Sequence, residues 1–98
     1  MIYLYKEGNG YVAISRNEKL NAWVMHVVIE NWSLSEYKRY REIFKVIKET
    51  LKKLTPEVYS LCKTKSNIKF NKTFGFEETG AFAVEESGEI YVILKLEL

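Results

Sequence analysis

One stretch constrains the fold more than any other: AWVMHVVIE, residues 22–30, followed almost at once by SLSEYKRYREIFKVIKETLKKL, residues 33–54. In the first, apolar residues fill both alternating rows. Trp23, Met25, Val27 and Ile29 share one side, and Val24, His26 and Val28 share the other. That pattern predicts a strand in the middle of a sheet, covered on both faces. In the second, Ser33 with Glu36 three residues later is a capping-box signature. Tyr37, Tyr40, Ile43, Phe44, Ile47, Leu51 and Leu54 then recur at helical spacing and mark one apolar face. Thr55-Pro56 ends the helix, because proline restricts the residue before it. EVYSLC, residues 57–62, reads as another strand. Strand, long helix and strand in succession predict a parallel pair joined by a right-handed crossover.

The flanks complete an α+β pattern. IYLYK (2–6), the turn EGNG and YVAIS (11–15) form an opening hairpin, and RNEKLN (16–21) is a second turn. Residues 66–74 predict a short helix with Gly75 at its C-terminal cap. AFAVEE (81–86), SGE and IYVILKLEL (90–98) form a closing hairpin. The expected order is β-β-β-α-β-α-β-β, a mixed sheet with one long and one short helix. With 98 residues and no linker or repeat, a single domain over 1–98 is expected.

Composition removes several classes of chemistry. The chain has no Asp and no Gln, which excludes Asp-based triads, Asp-rich magnesium sites and EF-hand loops. Cys62 is the only cysteine, so no disulfide closes within the chain and a reducing compartment fits. One His and one Cys fall short of a metal-ligand set, and no metal is expected. Residues 1–6 lack a basic n-region and a long apolar core, so they do not read as a signal peptide. No apolar run approaches the ~18 residues of a membrane span. A soluble, cytoplasmic chain with no membrane partner is expected.

Charge is unevenly spread. Residues 35–76 carry eleven Lys/Arg against four Glu, and residues 77–98 one Lys against six Glu. On the long helix Lys38, Arg41, Lys45, Lys48 and Lys52 fall within roughly one quadrant at about 100° per residue. Such a stripe is a candidate phosphate-binding surface for nucleic acid, or a solvated face offset by Glu36, Glu42 and Glu49. The acidic closing hairpin favours head-to-tail contact, basic partners or simply solubility. Edge strands at 2–6 or 90–97 are available to pair between copies, so a homodimer is one expected assembly. His26 reads as a hydrogen-bonded core or cleft histidine, with a Cys62–His26 nucleophile pair as the sharper alternative.

KTKSNIKFNKTFGFEETG, residues 63–80, adds a motif. Its Phe74-Gly75-Phe76 and Gly80, following the short helix and set in this element order, resemble the GCN5-related N-acetyltransferase (GNAT) family. The resemblance spans that family's core from its second strand to its last. The family's first strand and first two helices have no counterpart here, so a minimal form is expected. Trp32-Ser33-Leu34-Ser35, the Lys/Arg-rich helix and Ile68-Lys69-Phe70-Asn71-Lys72-Thr73-Phe74-Gly75 further resemble small GNAT-like proteins encoded by tailed bacteriophages. For a phage protein the compartment would be the host cytoplasm.

The resemblance implies a cleft where the parallel strands splay at their C-terminal ends. It implies acetyl-CoA as cofactor, with Glu30 as general base and Ile29, Ser35, Lys38 and Arg39 on the cofactor side. Lys38 or Arg39 would hold the diphosphate. Two departures count against transfer. Asn71 stands where the family's tyrosine protonates the departing thiolate, and an amide supplies no comparable acidic proton. The family's glycine-rich pyrophosphate loop is replaced by NWSLSEYKRY, and no glycine lies between Gly10 and Gly75. The expectation is a GNAT-like frame that has lost acetyl transfer and acts by binding a protein partner. The alternatives are an acetyl-CoA-dependent N-acyltransferase with a degenerate loop, and a nucleic-acid-binding accessory protein.

Overall fold

A computed structural model describes residues 1–98. The opening hairpin pairs β1 (Ile2–Glu7) with β2 (Gly10–Asn17), and β2 pairs antiparallel with β3 (Ala22–Ile29). Helix α1 (Leu34–Leu51) crosses to β4 (Glu57–Cys62), which runs parallel to β3. Helix α2 (Lys65–Lys72) leads to β5 (Glu77–Val84) and β6 (Ile90–Glu97). The six-stranded mixed sheet has the order β1-β2-β3-β4-β6-β5. The protein is therefore α+β, with the edges at β1 and β5. Residues 90–97 lie between β4 and β5, so of the two expected edge strands only 2–6 is one.

Alternation along the ladder decides which side chains meet the helices. Val12 and Ile14 of β2, Met25 of β3, Val58 and Cys62 of β4, and Leu94 and Leu96 of β6 form one buried cluster. Tyr40, Phe44, Ile47 and Leu51 of α1 and Phe74 beyond α2 close over it. Both helices pack on this one face. The expectation that β3 is covered on both sides is wrong: its even-numbered residues Val24, His26 and Val28 belong to a face without helices. The apolar runs did not distinguish a second helical layer from a face shielded by its own side chains.

The long helix also ends earlier than its apolar spacing suggests. Residues 52–54 turn away with Lys53 N–H bonded to the Thr50 carbonyl at 3.2 Å, and Leu54 is exposed. Helix α2 is capped by Thr64, whose hydroxyl accepts from Asn67 N–H at 3.1 Å. Gly75 follows with φ +100, a conformation that disfavours any side chain. Strand β5 begins at Glu77 rather than 81, with an irregularity between Glu78 and Phe82 centred on Gly80 at φ +82.

Candidate functional site

The parallel strands part soon after they meet. Their ladder rests on the single bridge Val24–Tyr59, whereas β2–β3 and β4–β6 pair along their whole lengths. The expected splay is present, and a cleft of about 740 Å³ opens at its mouth. Val27, Val28 and Ile29 form one wall, Trp32 and Tyr37 a second, and Ser66, Asn67, Lys69, Phe70 and Thr73 of the α2 region a third. That volume lies within the roughly 300–1,000 Å³ range of small-molecule and anchor-residue pockets. A smaller cavity of about 180 Å³ continues between the strands, bordered by His26, Ser60 and Asn71.

The aromatic wall follows from the start of the helix. Ser33 is the N-cap, and its hydroxyl accepts from Glu36 N–H at 3.1 Å. Trp32 precedes the cap and packs edge-on against Tyr37 at 5.6 Å between ring centres, a hydrophobic staple. Trp32 also meets Phe70 at 5.2 Å, and Phe70 meets Phe74 at 5.0 Å. The two helices are thus joined across the cleft by edge-to-face rings, a favoured aromatic geometry.

Only half of the capping box forms. The Glu36 carboxylate does not return to the cap; it accepts from Asn9 Nδ2 at 2.9 Å and from Arg39 Nη2 at 2.6 Å. Arg39 also donates to Glu7 Oε2 at 3.0 Å and to the Tyr5 hydroxyl at 3.2 Å. The buried Tyr40 hydroxyl donates to Glu7 at 2.9 Å. Glu7 is consequently held down at about 2, chiefly by Arg39 and then by Tyr5. Tyr40 is pushed up to about 12 by burial and by Glu7. Asn9 completes the strap: its carbonyl accepts from Glu30 N–H at 2.7 Å and its side chain from Asn31 N–H at 2.8 Å.

Of the residues assigned to cofactor and catalysis, Ile29 lines the cleft and the others do not. Glu30 sits exposed beyond the end of β3. Ser35 hydroxyl lies 3.1 Å from that of Ser33. Lys38 is exposed on the outer side of α1, and Arg39 is occupied by two carboxylates. Asn71, on the smaller cavity between the strands, is fully engaged. Its Oδ1 accepts from Ser60 at 2.9 Å, and its Nδ2 donates to the Asn67 carbonyl at 2.8 Å and to Cys62 Sγ at 3.3 Å.

His26 and Cys62 do not form a pair. His26 lies on the helix-free face, with Nε2 at 2.8 Å from the Ser15 hydroxyl, while Cys62 points into the helix-covered core. Burial pushes the Cys62 thiol up and the His26 ring down. The basic stripe is partly neutralised. Lys45 pairs with Glu42 at 2.9 Å, Lys52 with Glu49 at 3.0 Å, and Arg41 lies 5.7 Å over the Tyr37 ring. Lys38, Arg41 and Lys48 have no ion-pair partner.

The network of Glu7, Asn9, Tyr5 and Arg39 was not readable from sequence, because its members lie up to 34 positions apart. The aromatic wall had a signal: Trp32 immediately before the N-cap and Tyr37 at the fourth helical position. No group of three or more His, Cys, Asp or Glu side chains is placed to hold a metal ion, and no helix is long and apolar enough to cross a membrane. Searches of protein-family models, curated proteins and solved structures find no match to the chain.

Proposed function

We propose that the chain is a minimal GNAT-like frame that has lost acetyl transfer and works by binding a protein partner. The aromatic cleft beside Trp32 and Phe70 takes an apolar side chain of that partner. The observation that carries the reading is where the polar groups of the site are spent. Asn71 is saturated by Ser60, Asn67 and Cys62, and Glu36 and Arg39 neutralise one another where a diphosphate would need free donors. The resemblance to phage GNAT-like proteins extends the reading to a phage or mobile-element protein. Calorimetry with acetyl-CoA is expected to show no binding heat, and micromolar affinity would overturn the loss of transfer.

One observation favours the alternative, an acyl-CoA-dependent N-acyltransferase. The opening between β3 and β4 is a slot in which an extended thioester arm would fit, with Ile29 on its wall. On that reading Glu30 is the base and Lys38 holds the diphosphate. An acetyl-CoA-dependent product that disappears in Glu30→Gln would establish it. The nucleic-acid reading rests on Lys38, Arg41 and Lys48 once the paired cations are set aside, which weakens it against the solvated-face reading of the stripe.

A further inference from the structure

The sheet has a second large surface, on the side away from α1 and α2. A sheet covered by helices on one face ordinarily turns polar residues to water on the other. Here the outward positions of the four inner strands include Tyr11, His26, Val28, Tyr59, Leu61 and Tyr91, with Ser15 and Lys95 level with Val24 and Tyr59. Beneath them Ala13, Val24 and Ile93 are already buried, at 0%, 3% and 6% exposure. The middle of this face is largely apolar and aromatic, the make-up of an interface core, with Lys95 beside Tyr59 and the other charges around the rim.

The rim charges are divided between the two halves of the sheet. On the β1–β2–β3 half the charge is Lys6, which pairs outward with Tyr11. On the β4–β6–β5 half they are Glu57, Glu77, Glu89 and Glu97, against Lys63 and Lys95. The halves also match in height. Lys6 lies level with Val28, and Glu89 stands near that height at the far end of the closing hairpin.

We propose that this face is the interface of a symmetric homodimer whose twofold axis runs along the strands, between β3 and β4. That rotation sets β1 over β5, β2 over β6 and β3 over β4. It brings Lys6 of one copy to the Glu89 end of the other, twice. A twofold across the strands would lay each strand over its own copy and carry Lys6 away from Glu89, so the match of Lys6 with Glu89 selects the first axis. Six strands at about 4.8 Å spacing and about six residues at about 3.4 Å rise give a footprint on the order of 600 Å² per copy. This approaches the roughly 800 Å² per partner of ordinary stable complexes.

Sedimentation velocity on the purified chain, from low to high micromolar concentration, reads the proposal directly. A monomer–dimer equilibrium is expected. Val28→Lys, at a position 37% exposed in the single chain, should weaken it at least about tenfold with far-UV circular dichroism unchanged. Lys6→Glu and Glu89→Lys should each weaken it alone, and mixing the two variants should restore a one-to-one heterodimer. A chain that stays monomeric throughout overturns the proposal, as does a dimer indifferent to Val28→Lys. Failure of the mixed variants to associate better than either alone overturns the axis.

Discussion

The two faces of this sheet are made from the same strands, yet they become dry in different ways. On the covered face large residues are sealed by other elements: Leu94 and Val58 are fully buried under Tyr40, Phe44 and Leu51 of α1 and the rings at the end of α2. On the open face the buried residues are Ala13, Val24 and Ile93, roofed by neighbouring side chains such as Tyr3, Tyr11 and Tyr59 in the same layer. The first arrangement ties residues distant in sequence into one cooperative core. The second needs only local cross-strand neighbours, so it adds less to the fold and leaves an apolar surface available.

That contrast is sharpest in truncation. Leu94→Ala is expected to cost about 2–5 kcal/mol in chemical denaturation, because the helices can collapse only partly onto the space left. Val28→Thr on the open face should change the stability of the dilute chain by no more than about 0.5 kcal/mol. Equal costs at the two positions would erase the distinction.

Next in size is the polar group embedded in the covered face. Asn71→Ala removes the acceptor of the Ser60 hydroxyl, a buried group 4% exposed, and should cost about 1–3 kcal/mol by thermal or urea unfolding.

Acid separates the faces by pH window. Glu7, near the covered face, has its folded-state value at about 2 against an ordinary 4.5. The unfolded chain therefore binds a proton that the folded chain refuses, and stability present above pH 4.5 drains away as pH falls toward about 2. Glu7→Gln should flatten that loss. His26, on the open face, is lowered from 6.5 by burial, so the corresponding loss begins near pH 6.5. It should be the smaller of the two, and His26→Asn should remove it from a melting-temperature profile. A His26 ring titrating above 6.5 by NMR would contradict its half-buried setting.

Much of this architecture is written locally in the chain. The capped helix, its apolar face, Gly75 at positive φ and the strand–helix–strand crossover all follow from spacings of a few residues. What was not readable is non-local. Residues 22–30 are apolar in both rows, and nothing in them says that both helices choose the Met25 side. Arg39 looks like a free cation in sequence because its partner Glu7 is 32 positions away. The cleft was anticipated from the splay of the parallel strands. Its aromatic wall depends on α2 swinging back to place Phe70 against Trp32, a contact across 38 positions that no periodicity announces.

The single bridge between β3 and β4 has a bearing on how the chain assembles. It divides the sheet into two three-stranded units, one from residues 2–29 and one from residues 57–97, held together mainly by α1 lying across both. The β1–β2–β3 unit and the β5–β6 hairpin close through antiparallel neighbours nearby in sequence, which favours early formation, whereas β4, paired with β6 from Glu57–Glu97 to Cys62–Val92, and the junction of the two units must wait for the helix to dock. Native-state hydrogen exchange should then resolve two cooperative openings rather than one, with the β3 amides that face β4 beyond Val24 among the first to exchange and those bonded to β2 among the last.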